Sequence, residues 1–118
     1  MNPIILLGGV SGLLGVAASA YASHGPAGPQ LATAANFLLF HAPVFLALAA
    51  LQGREGRCLS QSVTVTTLLA MGLALFCGDL ALRATLGHGL FTGAAPLGGG
   101  TMMLGWAGII VSAIRHRG

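Results

Sequence analysis

The side chains able to do chemistry are few in this chain, and one pair of them is ionised: Asp79 and Arg83. Their spacing of four places both on one helix face in the favourable acid-before-base order. An ionised group at a bilayer centre costs about 2.5–3.5 kcal/mol on insertion scales, so such groups turn inward or snorkel to the interface. The pair therefore reads as an intrahelical structural contact, an inward-facing interaction site or a transport group. His41 falls near the middle of an apolar run, with Asn36 five residues earlier. A neutral imidazole has one donor and one acceptor to satisfy. His41 is thus expected to face another helix, either bonded to a backbone carbonyl or hydroxyl or serving as a proton relay. Pro43 just after it removes a backbone hydrogen bond, freeing the carbonyl of Leu39 and inviting a kink.

Other chemistries lack their residues. Haem needs a second axial histidine at the depth of His41, but His24 and His88 fall in connectors and His116 in the C-terminal tail. A transition-metal site from His24 and His88 near Asp79 has no close ligand spacing. No cofactor and no metal are expected. The run Gly98-Gly99-Gly100 lacks the lysine and hydroxyl of a phosphate loop, and no strand precedes it. It is expected to form a tight re-entry turn, with Pro96 presetting the backbone before a fourth helix begins. Cys58 and Cys77 form no CxxC motif, and a helical rise of about 1.5 Å per residue separates them beyond disulfide reach. No Ser/His/Asp set, paired carboxylates or Cys/His nucleophile is present, so the chain is expected not to be an enzyme.

The elements that must position these residues follow from hydropathy. Of 118 residues, 55% are hydrophobic and only 6% charged, against about 25% charged in a soluble domain. The mean hydropathy is +0.87, which excludes both a water-soluble globular protein and a disordered one. The net charge of +3 comes from five arginines with no basic stripe interleaved with aromatics, so no nucleic acid is expected as a partner. Four apolar runs, at about residues 4–22, 31–51, 62–84 and 99–114, each suffice to cross a hydrocarbon core of about 30 Å. The expectation is all-α: a polytopic membrane protein whose residues 1–118 form a single antiparallel bundle of four transmembrane helices. Ala18-Ser19-Ala20 and Ala20-Tyr21-Ala22 resemble signal cleavage sites, but residues 1–3 carry no basic side chain, so the first run is expected to remain as a membrane helix.

Arginine placement sets the expected orientation, because short Lys/Arg-rich loops stay in the cytoplasm. Arg54, Arg57, Arg115 and Arg117 share one side and only Arg83 approaches the other. Both termini are expected to be cytoplasmic, in the inner (plasma) membrane of a bacterium. Gly8, Gly12, Gly15 and Ser19 recur at spacings of four, three and four, a small-residue face suited to close helix approach in lipid. That face suits packing within the bundle or a homodimer seam. Gly105 and Gly108, beside Trp106, suggest a second close contact.

A set of ordered motifs carries a resemblance over nearly the whole chain. Ala22-Ser23-His24-Gly25, Ala35-Asn36-Phe37 with His41, Phe76-Cys77-Gly78, Ala95-Pro96-Leu97-Gly98-Gly99 and Gly105-Trp106 resemble the YgdD/YwdK-type family of small bacterial membrane proteins. The resemblance implies a four-helix membrane protein with no established activity. The family pattern has Ser-Gly-Ser where this chain has Cys77-Gly78-Asp79, so Asp79 is peculiar to this chain within the resemblance. With membrane lipid as its surroundings, the protein is expected to be a structural or accessory subunit. It would pack against a larger membrane complex, such as a respiratory one, or against further copies of itself. The alternative is a transporter or channel component for protons or small solutes, using His41, Asn36 and Asp79, although no inverted repeat is visible. A small-ligand or lipid-binding module would require an apolar pocket opening between the helices.

Overall fold

The computed structural model describes the backbone of residues 2–24, 28–54 and 59–115, with side chains for all of these except 52–54 and 59–62. The described residues form four α-helices and no strand: α1 (Pro3–His24), α2 (Gly28–Arg54), α3 (Leu59–Leu86) and α4 (Ala94–Arg115). All four are long and apolar enough to cross a membrane. Even the 22-residue α1 and α4 reach about 33 Å at the helical rise, enough for a hydrocarbon core of about 30 Å. Gly25, Arg57, Cys58, His116 and Arg117 lie outside the described residues, as does the side chain of Arg54.

The helix ends have local causes. Asn2 caps α1, its Oδ1 accepting from the amides of Ile4 at 2.9 Å and Ile5 at 3.3 Å, while Pro3 supplies a preset φ at the first helical position. Gly87, at φ +84°, follows the last residue of α3 in the left-handed conformation that ends helices. Gly93, at φ +87°, starts α4, and its carbonyl accepts the amide of Leu97 at 3.0 Å.

That start corrects the expected fourth span of 99–114. Pro96 and Gly98-Gly99-Gly100 are not a re-entry turn; they are the first turns of α4. Proline is tolerated there because the first four helical amides have no intrahelical acceptor in any case. Of the glycine run, Gly98 packs against α3, as shown below.

The burial pattern is that of a protein dissolved in lipid. Leu13 and Met103 are each 71% exposed, with many further leucines, valines and isoleucines outward, while Ala34, Ala35 and Ala94 are buried. Large apolar side chains face the surroundings and small ones face the neighbouring helix, the arrangement that lets backbones approach where no hydrophobic drive separates helix from solvent. Helix α1 packs on α2, α2 on α3, and α3 on α4; neither α3 nor α4 makes a comparable interface with α1. Phe45 and Leu69 are fully buried at the centre with Val65, Leu73 and Met102 around them.

Glycines set both hairpins. A Cβ on Gly8 would meet Leu46 and the carbonyl of Ala42, and one on Gly15 would meet Leu39 and Leu38, so α1 lies directly on α2. Gly12 faces Ala42 at ordinary contact distance. Ser19, the fourth member of the expected stripe, is exposed, and Ser11 takes the buried place between Gly8 and Gly15. The buried set Ile4, Gly8, Ser11 and Gly15 keeps the four-three-four rhythm but is displaced along the helix. In the second hairpin Gly72 and Gly98 bring the backbones together: a Cβ on Gly98 would stand 2.6 Å from the amide nitrogen of Phe76 and 2.7 Å from the carbonyl of Gly72. Gly105 and Gly108 continue the seam against Leu69 and Val65.

Candidate functional site

Two polar constellations lie within the apolar interior. The first starts at Asp79, whose carboxylate is fully buried in α3. Its Oδ2 accepts from Nε of Arg83 at 2.8 Å, one helical turn on, and its Oδ1 accepts from the backbone amide of Leu90 at 2.9 Å. The Asp79–Arg83 pair foreseen from spacing is therefore formed. The second acceptor role is not legible in the sequence, since it depends on how the chain after Gly87 folds back. Gly89 makes the return possible: a Cβ there would collide with the carboxylate of Asp79 and with Nε of Arg83. The carboxylate thus fastens residues 87–93 over the end of α3, and the half-exposed guanidinium covers it from outside.

The second constellation joins three helices through aromatic rings. His41, on α2, is only 4% exposed. Its Nδ1 lies 2.8 Å from the carbonyl oxygen of Phe37, and its Nε2 accepts from the indole nitrogen of Trp106 on α4 at 3.3 Å. An indole nitrogen only donates, so Nε2 is the acceptor and Nδ1 carries the proton given to Phe37. This is the neutral imidazole with both nitrogens engaged. The Trp106 ring meets His41 edge-on at a centroid distance of 5.7 Å, and Phe37 packs against Phe76 of α3 at 4.6 Å. The sequence offers Trp106 as a helix-packing residue beside Gly105. It serves as the link between α4 and α2, with one face left half-exposed.

The remaining candidates do not converge. Asn36 is exposed while His41 is buried, so the two do not line one path with Asp79. His24 and His88 are both exposed at helix ends, and no group of three His, Cys, Asp or Glu side chains among the described residues is placed to hold a metal ion. Cys77 is buried and its thiol donates to the carbonyl of Ala34 at 3.4 Å, tying α3 to α2. Thr66 is buried with no hydrogen-bond partner for its Oγ1, a feature that one threonine in a long apolar run does not announce.

Comparison with known proteins places this architecture. A family model described as a protein of unknown function (DUF423) matches residues 18–99. The chain belongs to the DUF423 family. The matched stretch begins in the last two turns of α1 and ends in the first turns of α4, so it takes in both His41 and the Asp79–Leu90 contact. A relative of this DUF423 protein, the UPF0382 membrane protein YwdK of Bacillus subtilis (strain 168), is 28% identical over 126 residues, covering 98% of this chain and 99% of the relative. No solved structure matches. With four apolar helices of spanning length and a full-length membrane-protein relative, this DUF423 protein is a small multi-pass membrane protein.

Proposed function

We propose that this protein is a non-catalytic component of a bacterial inner membrane, with both termini cytoplasmic, that packs against a larger membrane assembly. The observation that carries the reading is the engagement of His41, Asp79 and Cys77. His41 has both ring nitrogens bonded, Asp79 has both carboxylate oxygens bonded, and Cys77 donates to a carbonyl. One bond of each group reaches another part of the fold, from Trp106 to His41, from Leu90 to Asp79 and from Cys77 to Ala34, so each group acts as a fastener. A reacting group would instead need a side to offer a substrate.

The surface supports a lateral partner. Helices α1 and α4 stand at the two ends of the packing order and turn large apolar side chains outward, among them Leu13 and Val16 on α1 and Met103 and Leu104 on α4. The transport reading has no comparable support, because Asn36 is exposed while His41 and Asp79 are buried and bonded to separate partners. The test is solubilisation of native membranes in mild detergent, followed by identification of what copurifies with the tagged full chain. A reproducible stoichiometric membrane partner is the expected result. A stable protein migrating alone under several detergents, or proton flux in liposomes that His41→Ala abolishes, would overturn the proposal.

A further inference from the structure

The face of α3 that packs on α4 continues past the end of that packing. Val65, Leu69, Gly72 and Phe76 meet α4, and steps of three and four residues carry the same face on to Asp79 and Arg83. The partner helix stops short. Gly108 lies against Val65, Gly105 against Leu69, and Gly98 against Gly72 and Phe76, so the antiparallel register brings Ala94, the first residue of α4, about level with Asp79. Helix α3 runs on for seven residues to Leu86, ~10 Å at the helical rise. Helix α2 keeps pace with it: the contacts of Cys77 with Ala34 and of Phe76 with Phe37 set Gly28, where α2 begins, about level with Ala84.

The rim of the bundle is therefore notched above α4, with α3 as the back wall. Residues 87–93 descend into the notch, where the amide of Leu90 reaches Asp79 and a Cβ on Gly78 would stand 3.5 Å from Cδ1 of Leu90. They cover Asp79 but leave 42% of the Arg83 side chain exposed. Its guanidinium is held and only partly used. Nε donates to Asp79 at 2.8 Å, and among the described residues neither Nη1 nor Nη2 has an acceptor. A cationic N–H without an acceptor is costly at the edge of a hydrocarbon layer. The planar pair of terminal nitrogens matches two oxygens of a phosphate.

The surroundings decide which phosphate. Leu86 at the end of α3, and Leu90 and Phe91 in the connection, are exposed. A free phosphate ion gains nothing from such neighbours, whereas a phospholipid brings acyl carbons to them together with its phosphate. On α4, which starts at the foot of the notch, Leu97, Leu104 and Val111 recur every seven residues and are exposed, an apolar face for the tails. We infer that Arg83 binds the headgroup phosphate of a membrane phospholipid, seated in the notch above α4, from the leaflet on the side of the α3–α4 connection. This site goes beyond the accessory role and does not depend on a protein partner.

The experiment is photolabelling of the full chain in phosphatidylcholine nanodiscs with two trace probes, mapped by mass spectrometry. One probe is phosphatidylcholine and the other a diacyl galactolipid without phosphate, each with a diazirine at the headgroup end of one acyl chain. Adducts of the first at residues 86–91 are expected to exceed those of the second by roughly ten-fold, the scale of a charge-assisted hydrogen bond. Excess inorganic phosphate is expected to leave them unchanged. Arg83→Gln is expected to bring both probes to one level, and Arg83→Lys, which keeps the charge without the fork, to fall between. Arg115→Gln, at the far end of α4, is expected to label like the parent. Melting temperature reports the folding of each variant, and Arg83→Lys carries the test if Arg83→Gln does not fold. Equal labelling by the two probes in the parent would show ordinary surrounding lipid and overturn the inference. So would displacement by inorganic phosphate, which marks a free-anion site, or parent-like labelling in a folded Arg83 variant.

Discussion

The indole N–H of Trp106 donates to Nε2 of His41 at 3.3 Å, and this one bond joins α4 to α2, two helices with no broad interface between them. It fixes the histidine tautomer and leaves Nδ1–H for the carbonyl of Phe37. Trp106 is the chain's one tryptophan, so its emission reports the contact directly.

Replacing Trp106 by Phe keeps a ring and removes the donor, leaving Nε2 of His41 buried without a partner. The expected loss of stability is roughly 1–3 kcal/mol, the range for an orphaned buried acceptor. His41→Leu removes the acceptor instead. In a double-mutant cycle followed by thermal melting in detergent, the two losses are expected to be less than additive, because the residues share one bond. Strict additivity would mean that the bond contributes nothing.

The seam between α3 and α4 depends on the absence of a side chain at residue 98. Gly98→Ala places a methyl against the amide of Phe76 and the carbonyl of Gly72, and backbone cannot yield as a side-chain tip can. A destabilisation of about 1–3 kcal/mol is expected from overpacking. Gly99→Ala, one residue on and facing open space, is the control expected to melt like the parent or slightly above it.

On α1 the same contrast separates the buried face from the outer one. Gly15→Leu drives a side chain into Leu39 and Leu38, whereas Gly9→Ala meets nothing within 4 Å. Thermal melting is expected to fall for the first. The second is expected to be neutral or slightly stabilising, because alanine is the better helix former by about 1 kcal/mol.

Gly89→Ala tests the fastening of the α3–α4 connection. Its methyl would displace the loop from Asp79 and break the bond to the amide of Leu90. Hydrogen exchange at Leu90 is expected to rise together with protease cleavage within residues 87–93. Asp79→Asn, which keeps an acceptor for Leu90, is expected to expose the loop less than Asp79→Ala. Equal protection in all three variants would dissociate the loop from the carboxylate.

Orientation is open to a direct measurement with the native thiols. Cys77 is buried, so a membrane-impermeant maleimide added to sealed vesicles is expected to modify Cys58 alone. Labelling from the cytoplasmic face is the expected outcome, and labelling from the opposite face would invert the topology proposed for the termini.

Helix number and medium were legible in the sequence, because charge scarcity and run length are sums over many residues and no packing detail alters them. The pairing of Asp79 with Arg83 was legible for a similar reason: helical periodicity alone sets it. What hydropathy could not read was which helix each small residue meets. Gly98-Gly99-Gly100 looked like a turn because glycine disfavours a helix in isolation, yet all three are helical, with Gly98 packed against Gly72 and the other two facing open space. Ser19 and Ser11 are equivalent by composition, and only the placement of α2 buries one and exposes the other.

The polar partners divide in the same way. That His41 turns inward follows from the cost of an unsatisfied imidazole in hydrocarbon. That Trp106 is the group it meets, 65 residues away, and that the amide of Leu90 closes on Asp79, depend on three-dimensional return of the chain. Local sequence encodes the period and polarity of each helix, whereas the pairing of faces is decided by which backbones can approach one another, a property of several helices at once.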